Sequence, residues 1–120
     1  MYAQTIVVLQ SDPGVAQALA GKLSDYFQSV HVARSVVELR SAVPRYRAEA
    51  AILDVEASCM SEIERLHREF PWLAIVCTHR VADEEMWASA LNAGASDMCP
   101  SSDTQGIVLS ARRNIMRTAA

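Results

Sequence analysis

Five short apolar runs rich in β-branched residues recur along the chain: Thr5-Leu9, Val30-Ala33, Ala50-Leu53, Leu73-Cys77 and the weaker Asp97-Cys99. They read as continuous apolar blocks rather than as alternating ones, the pattern of strands covered on both faces. Amphipathic stretches long enough to be helices separate them. Asp12 followed by Pro13 predicts an N-cap and a first helical residue, with Val15, Ala18, Leu19, Leu23 and Phe27 on one face. Ser35 to Glu38 forms a capping box for a second helix, expected to end near Pro44 because proline disfavours helix in the residue before it. Ser61 to Glu64 forms another box, for a third helix with the stripe Ile63, Leu66 and Phe70. Asp83 is placed to cap a fourth helix through Met86, Trp87, Ala90 and Leu91, closed by Gly94. Asp103 is placed to cap a fifth through Ile107, Val108, Ala111 and Ile115.

The order is therefore (βα)5. Strand-helix alternation favours an α/β fold with a doubly wound, five-stranded parallel sheet and right-handed crossovers. The 120 residues fit a single domain, 1-120, with a core large enough to fold without staples. The connections are short, and there are no repeats or low-complexity tracts.

Composition narrows the function classes. A hydrophobic fraction of 51% with 21% charged residues is that of an ordinary globule, so disorder is not expected. Nucleic-acid binding calls for a clustered basic surface, and a net charge of -3 does not steer toward it, so direct binding is not expected. Cys59, Cys77 and Cys99 are odd in number and widely spaced, which implies neither a disulfide framework nor a zinc site. No run approaches the roughly 18 apolar residues of a spanning helix, and the N-terminus lacks the features of a signal peptide. The expectation is a cytoplasmic protein that is not in a membrane.

A parallel doubly wound sheet gathers the C-terminal ends of its strands on one edge, and ligands bind there. The residues just past the strands are Gln10-Ser11-Asp12, Asp54-Val55-Glu56, Thr78-His79 and Pro100-Ser101. These corners, within IVVLQSDPGVAQAL, AAILDVEASCM, LAIVCTHR and ALNAGASDMCPSS, carry a resemblance. An Asp ends the third strand, a Thr ends the fourth, and an AGA-x-D turn enters the fifth. The chain resembles, over its whole length, the receiver domains of two-component response regulators. That resemblance implies a flavodoxin-like sheet with strand order 2-1-3-4-5.

It also implies a chemistry. In receivers an acidic pair after the first strand holds Mg2+, an Asp after the third strand takes the phosphoryl group, and a Thr or Ser hydroxyl and a Lys amine grip its oxygens. An aromatic residue on the fifth strand reports the change. Cation and metal are needed because attack by a carboxylate on a phosphoryl group brings negative charges together. Carried over position by position, Asp54 matches the phosphoacceptor and Thr78 the hydroxyl residue. The acidic pair falls on Gln10 and Ser11, the lysine on Ser101, and the aromatic switch on Met98. The ten arginines are joined by a single lysine, Lys22, which lies in the first helix and cannot replace the missing one.

Gln10 and Ser11 are poor ligands for a hard cation that takes charged oxygens. A weak, degenerate metal set of Asp12, Asp54 and Glu56 is the most this chain offers. Asp12 is better explained as the helix cap, and Glu56 as an exposed loop carboxylate. His79 and Arg80 are local cations whose directions the sequence leaves open, with solvated loop residues the simpler reading. Without metal or lysine, Asp54 is expected to hydrogen-bond Ser11, Gln10 or nearby amides, with Ser11, Thr78 and Ser101 as a neutral polar nest around it.

Other chemistries find little support. A serine nucleophile would need an oriented His and an elbow such as GxSxG, and Cys59 has no histidine partner placed for it, His67 lying in the third helix. The four glycines are scattered, so no phosphate-cradling loop is formed. The expectation is a non-enzymatic signalling module with no cofactor, acting through protein contacts with a histidine kinase or an effector domain. A homodimer through helix 4, strand 5 and helix 5 is also implied by the resemblance. Trp87 on that face is either an interface anchor or a lid on the core. Arg112, Arg113 and Arg117 with Asp83, Glu84 and Glu85 form a candidate set of cross-subunit ion pairs. The alternatives are a working receiver that takes a phosphoryl group on Asp54, and a small-molecule-binding flavodoxin-like domain.

Overall fold

The five apolar blocks become five parallel strands in a computed structural model that describes residues 4–81 and 83–119. The order is β1 (Thr5–Leu9), α1 (Pro13–Leu23), β2 (Ser29–Val32), α2 (Val36–Tyr46) and β3 (Ala50–Asp54). Then follow α3 (Met60–Glu69), β4 (Ala74–His79), α4 (Glu84–Ala93), β5 (Asp97–Pro100) and α5 (Thr104–Ala119). The strands lie in the order β2-β1-β3-β4-β5, all parallel, the doubly wound arrangement that the sequence pattern and the receiver resemblance together led us to expect.

Because side chains alternate across a strand, each strand feeds two cores. Val7, Leu9, Leu53, Ile75 and Cys77 face one way and pack with Leu39, Val43, Ile63, Leu66 and Ala90 of α2, α3 and α4. Ile6, Val8, Ile52 and Val76 face the other way and pack with Leu19 and Leu23 of α1 and with Ile107, Val108, Ala111 and Ile115 of α5. A helix-sheet-helix sandwich explains why the strands read as unbroken apolar runs. Ser110 of α5 donates to the carboxylate of Asp97 on β5 at 2.6 Å and pins that helix to the sheet edge.

Three local expectations need correction. The buried face of α1 is Ala16, Leu19 and Leu23, while Val15 and Ala18 are exposed. The helix is apolar on most sides, so its pattern fits two phases, and the one that puts Leu19 and Leu23 against Ile6, Val8 and Ile52 of the sheet is adopted. The second helix, expected to end near Pro44, carries that proline in its last turn and runs two residues past it, closed by Arg47 in the left-handed conformation. In the last turn a proline removes a single hydrogen bond, which the buried Leu39, Ala42 and Val43 outweigh. The third helix starts not at Ser61 but two residues earlier: its cap is Cys59, whose N–H donates to Glu62 at 3.1 Å. Cysteine is an uncommon cap, so the Ser-x-x-Glu pattern two residues along the chain was the stronger signal.

Candidate functional site

Parallel register sets the geometry at the C-terminal edge of the sheet. Asp54 ends β3 directly opposite Thr78 on β4, and β1, between β2 and β3, delivers Gln10 and Ser11 beside them. Asp54, Thr78 and Gln10 are all buried.

Both oxygens of Asp54 are occupied. One accepts the Ser11 hydroxyl at 2.8 Å and the Ser11 N–H at 3.1 Å; the other accepts the Glu56 N–H at 2.9 Å. These three donors hold the carboxylate across the mouth between the first and third strands. The expected Ser11 contact is present. Gln10 does something else: its Nε2 donates to the Thr78 hydroxyl at 3.0 Å and to the Leu9 carbonyl at 3.1 Å. The Thr78 hydroxyl sits 3.5 Å from Gln10 Oε1, so the amide brackets it from both ends.

Glu56 is not a free loop carboxylate. Its Oε1 lies 3.0 Å from Arg80 Nη2 and 3.1 Å from His79 Nε2, which ties the loop after β3 to the end of β4. The backbone N–H of Val81 donates to His79 Nδ1 at 3.0 Å, orienting the ring toward Glu56. His79 is therefore drawn into a local cluster, not solvated, while the Arg80 side chain is 79% exposed apart from that contact. No sequence signal points to this cluster, since its members look like ordinary loop charges.

A cavity of about 370 Å³ opens above Asp54, lined by Gln10, Ser11, Asp12, Glu56, Arg80 and Ser101, with Val15 at its rim. Of the positions that sequence reasoning singled out, Asp12, Asp54, Glu56, Gln10, Ser11 and Ser101 are thus brought around one hollow. Thr78 lies beneath it, held by Gln10. Met98 is buried in the core between the sheet and α2, α3 and α4, and Trp87 on α4 is 46% exposed, so it does not lid the core. Lys22 sits in the last turn of α1, at the end opposite Asp12. Arg112 faces away from α4: its guanidinium lies 5.6 Å from the Tyr26 and Phe27 ring centroids and donates to the Tyr26 carbonyl. It therefore leaves the expected ion-pair set, and the Arg117 side chain lies outside the described residues.

The residues do not fit a Mg2+ ion. A hard divalent cation needs carboxylate or carbonyl oxygens free to point at it. Here Asp12 spends Oδ1 on the cap of α1, Glu56 spends Oε1 on Arg80 and His79, Asp54 accepts three donors, and Gln10 and Ser11 bring only a neutral amide and a hydroxyl. Among the described residues no group of three His, Cys, Asp or Glu is gathered in a way that could hold a metal.

The thiols are equally far from chemistry. Burial pushes Cys77 up to about 12, with the nearby Asp54 charge adding to it, and Cys99 up to about 11. A neutral buried thiol is a packing group rather than a nucleophile. Cys59 is exposed and serves as the cap of α3, and His67 is exposed on that helix, packed against Gly94. No helix among the described residues is long and apolar enough to cross a membrane.

No protein-family model matches the sequence, and no curated protein matches it. Solved structures do. NtrX from Brucella abortus, solved with ADP, superimposes with a TM-score of 0.87 at 20% identity, over 98% of this chain and 27% of that one. The chain thus spans about a quarter of NtrX. A CheY-like response regulator receiver domain protein from Methanospirillum hungatei gives a TM-score of 0.83 at 15% identity, covering 98% of both chains. A response regulator receiver domain protein from Clostridium thermocellum gives 0.84 at 18% identity, covering 97% of both. With its strand order, its helices on both faces and these superpositions over nearly its full length, the chain has the receiver-domain fold of two-component response regulators.

Proposed function

We propose that this chain is a signalling module of the receiver type that works through protein contacts and does not carry out phosphoryl transfer. The observation that supports this most is the state of the two groups matching the receiver's reactive residues. Asp54 is held by Ser11 and the Glu56 amide, and Thr78 is held by Gln10. Both are built into the scaffold by neutral partners. The charge that phosphoryl transfer must neutralise has no counterpart at Gln10, Ser11 or Ser101. The module is accordingly not an enzyme, needs no cofactor and sits in the cytoplasm.

The face made by α4, β5 and α5 is where this reading places the partner, whether a histidine kinase, an effector domain or a second copy. Trp87 of α4 is a large apolar group left 46% exposed on that side, and exposed tryptophans of this kind anchor interfaces.

A second reading, transfer of a phosphoryl group to Asp54 with Arg80 as the local cation, draws on one observation: Arg80 and Asp54 line the same cavity. Titration with millimolar Mg2+, followed by amide NMR, separates the two. The proposed function predicts unchanged resonances for Gln10, Ser11, Asp54 and Thr78; saturable shifts at those four residues would favour the second reading.

A further inference from the structure

The other edge of the sheet offers a surface of a different kind. β2 is the terminal strand, and its four residues are only half-buried. The amides of Ser29 and Ala33 donate inward, to the carbonyls of Gln4 at 3.3 Å and Val8 at 2.8 Å. Alternation along a strand therefore turns the amides of Val30 and Val32 outward, along the open edge.

Beside this edge, between β2 and α2, lies a cavity of about 260 Å³ lined by His31, Ala33, Glu38, Ser41, Arg45 and Tyr46. Its wall is rigid. The rings of His31 and Tyr46 stack at 3.8 Å and 9°, and the Arg45 guanidinium lies 5.4 Å from the Tyr46 ring centroid.

The charges on this wall have a symmetry. Glu38 and Arg45 are seven residues apart on α2, which is two turns and about 10 Å along one side of the helix. The midpoint falls between Ser41, small and exposed, and Ala42, which is turned into the core.

We infer that the β2–α2 edge pairs with the same edge of a second copy of this chain about a two-fold axis. An axis perpendicular to the sheet and passing midway between Ser41 and Ala42 sets the two α2 helices antiparallel. Each Glu38 then faces Arg45 of the other copy, and the small, exposed Ser41 near the centre lets the helices approach. The same axis runs the two β2 strands antiparallel, so that Val30 and Val32 join two five-stranded sheets into one. A two-fold contact of this kind must be self-complementary. An acidic or a basic partner would satisfy only one of the two charges, whereas a second copy satisfies both. The pairing leaves β5 and Trp87, at the far edge of the sheet, free for a different protein.

Sedimentation velocity of the whole chain from micromolar to near-millimolar concentration tests the pairing. The expected result is a reversible monomer–dimer equilibrium. Glu38→Arg and Arg45→Glu, both at exposed positions, each weaken it by roughly tenfold or more through like-charge contact, and the double charge swap restores it to within about threefold of the native chain. Circular dichroism of each variant checks that the fold is kept. A chain that stays monomeric throughout overturns the inference. So does a dimer indifferent to the single swaps, a double swap as weak as either single one, or a dimer lost in Trp87→Ala instead, which would move the contact to the α4–β5–α5 face.

Discussion

Gln10 and Thr78, separated by 68 residues in sequence, are joined side chain to side chain by a 3.0 Å hydrogen bond in the buried floor of the strand-end cavity. Breaking one member strands the other in a place with little access to water. Thr78→Val leaves the Gln10 amide short of an acceptor and is expected to cost about 1–3 kcal/mol, and Gln10→Leu to cost a similar amount. The double variant replaces both polar groups with apolar ones, so its cost is expected to fall well below the sum of the two. Urea denaturation of the four proteins measures this as a double-mutant cycle.

Asp54 is the second structural acceptor. Asp54→Asn presents an amide N–H2 to donors that already point inward, the Ser11 hydroxyl and N–H on one side and the Glu56 N–H on the other. The expected loss is about 1–3 kcal/mol in the urea midpoint analysis. A carboxylate kept for chemistry at the expense of stability would give a neutral or stabilising result.

Gly94 closes α4 at φ 110, and a Cβ there would approach the His67 ring to 2.7 Å. Gly94→Ala therefore meets both a left-handed backbone and a steric wall, and is expected to destabilise by about 1–3 kcal/mol. Adding His67→Ala removes the wall but not the backbone strain, so thermal unfolding should show a partial recovery.

The buried thiols set an alkaline limit. Cys77 titrates near 12 in the fold, raised first by burial and then by Asp54, against about 8.5 in an unfolded chain. Between those values the folded state keeps a proton that the unfolded state has lost. Stability is therefore fully present below the unfolded value and falls as pH rises, by about 1.4 kcal/mol per pH unit for this thiol. Cys99, raised to about 11, acts in the same direction. Stability measured from pH 8 to about 10.5 should fall less steeply in Cys77→Ala than in the native chain.

The features legible in the sequence are those with a short-range cause. The strands announce themselves as apolar blocks because both faces of the sheet are covered, and Asp12, Ser35, Asp83 and Asp103 announce four helix starts because a cap acts within three residues. The positions around the site follow from parallel topology, which puts every strand end on one edge. The pairings inside the site do not follow. Of the partners open to Asp54, Ser11 and a loop amide take it, while Gln10 holds Thr78, whose hydroxyl can meet both ends of the amide. The Glu56, His79 and Arg80 cluster was equally hidden, since it depends on two loops meeting across strand ends. Pro44 and Ser61 misled for the opposite reason: each carries a strong local tendency that the helix around it overrides.

The central claim is that Asp54 and Thr78 remain while the groups that neutralise charge do not, so that Asp54 is not a phosphoacceptor. Intact mass spectrometry after incubation with Mg2+ and acetyl phosphate or phosphoramidate tests it most directly, run on the native chain beside Asp54→Ala and a Gln10→Asp, Ser11→Asp, Ser101→Lys triple variant. The expected result is unmodified mass for the native chain and Asp54→Ala, with any phosphoryl adduct confined to the variant in which the acidic pair and the lysine are restored. A stoichiometric adduct on the native chain that disappears in Asp54→Ala would contradict it.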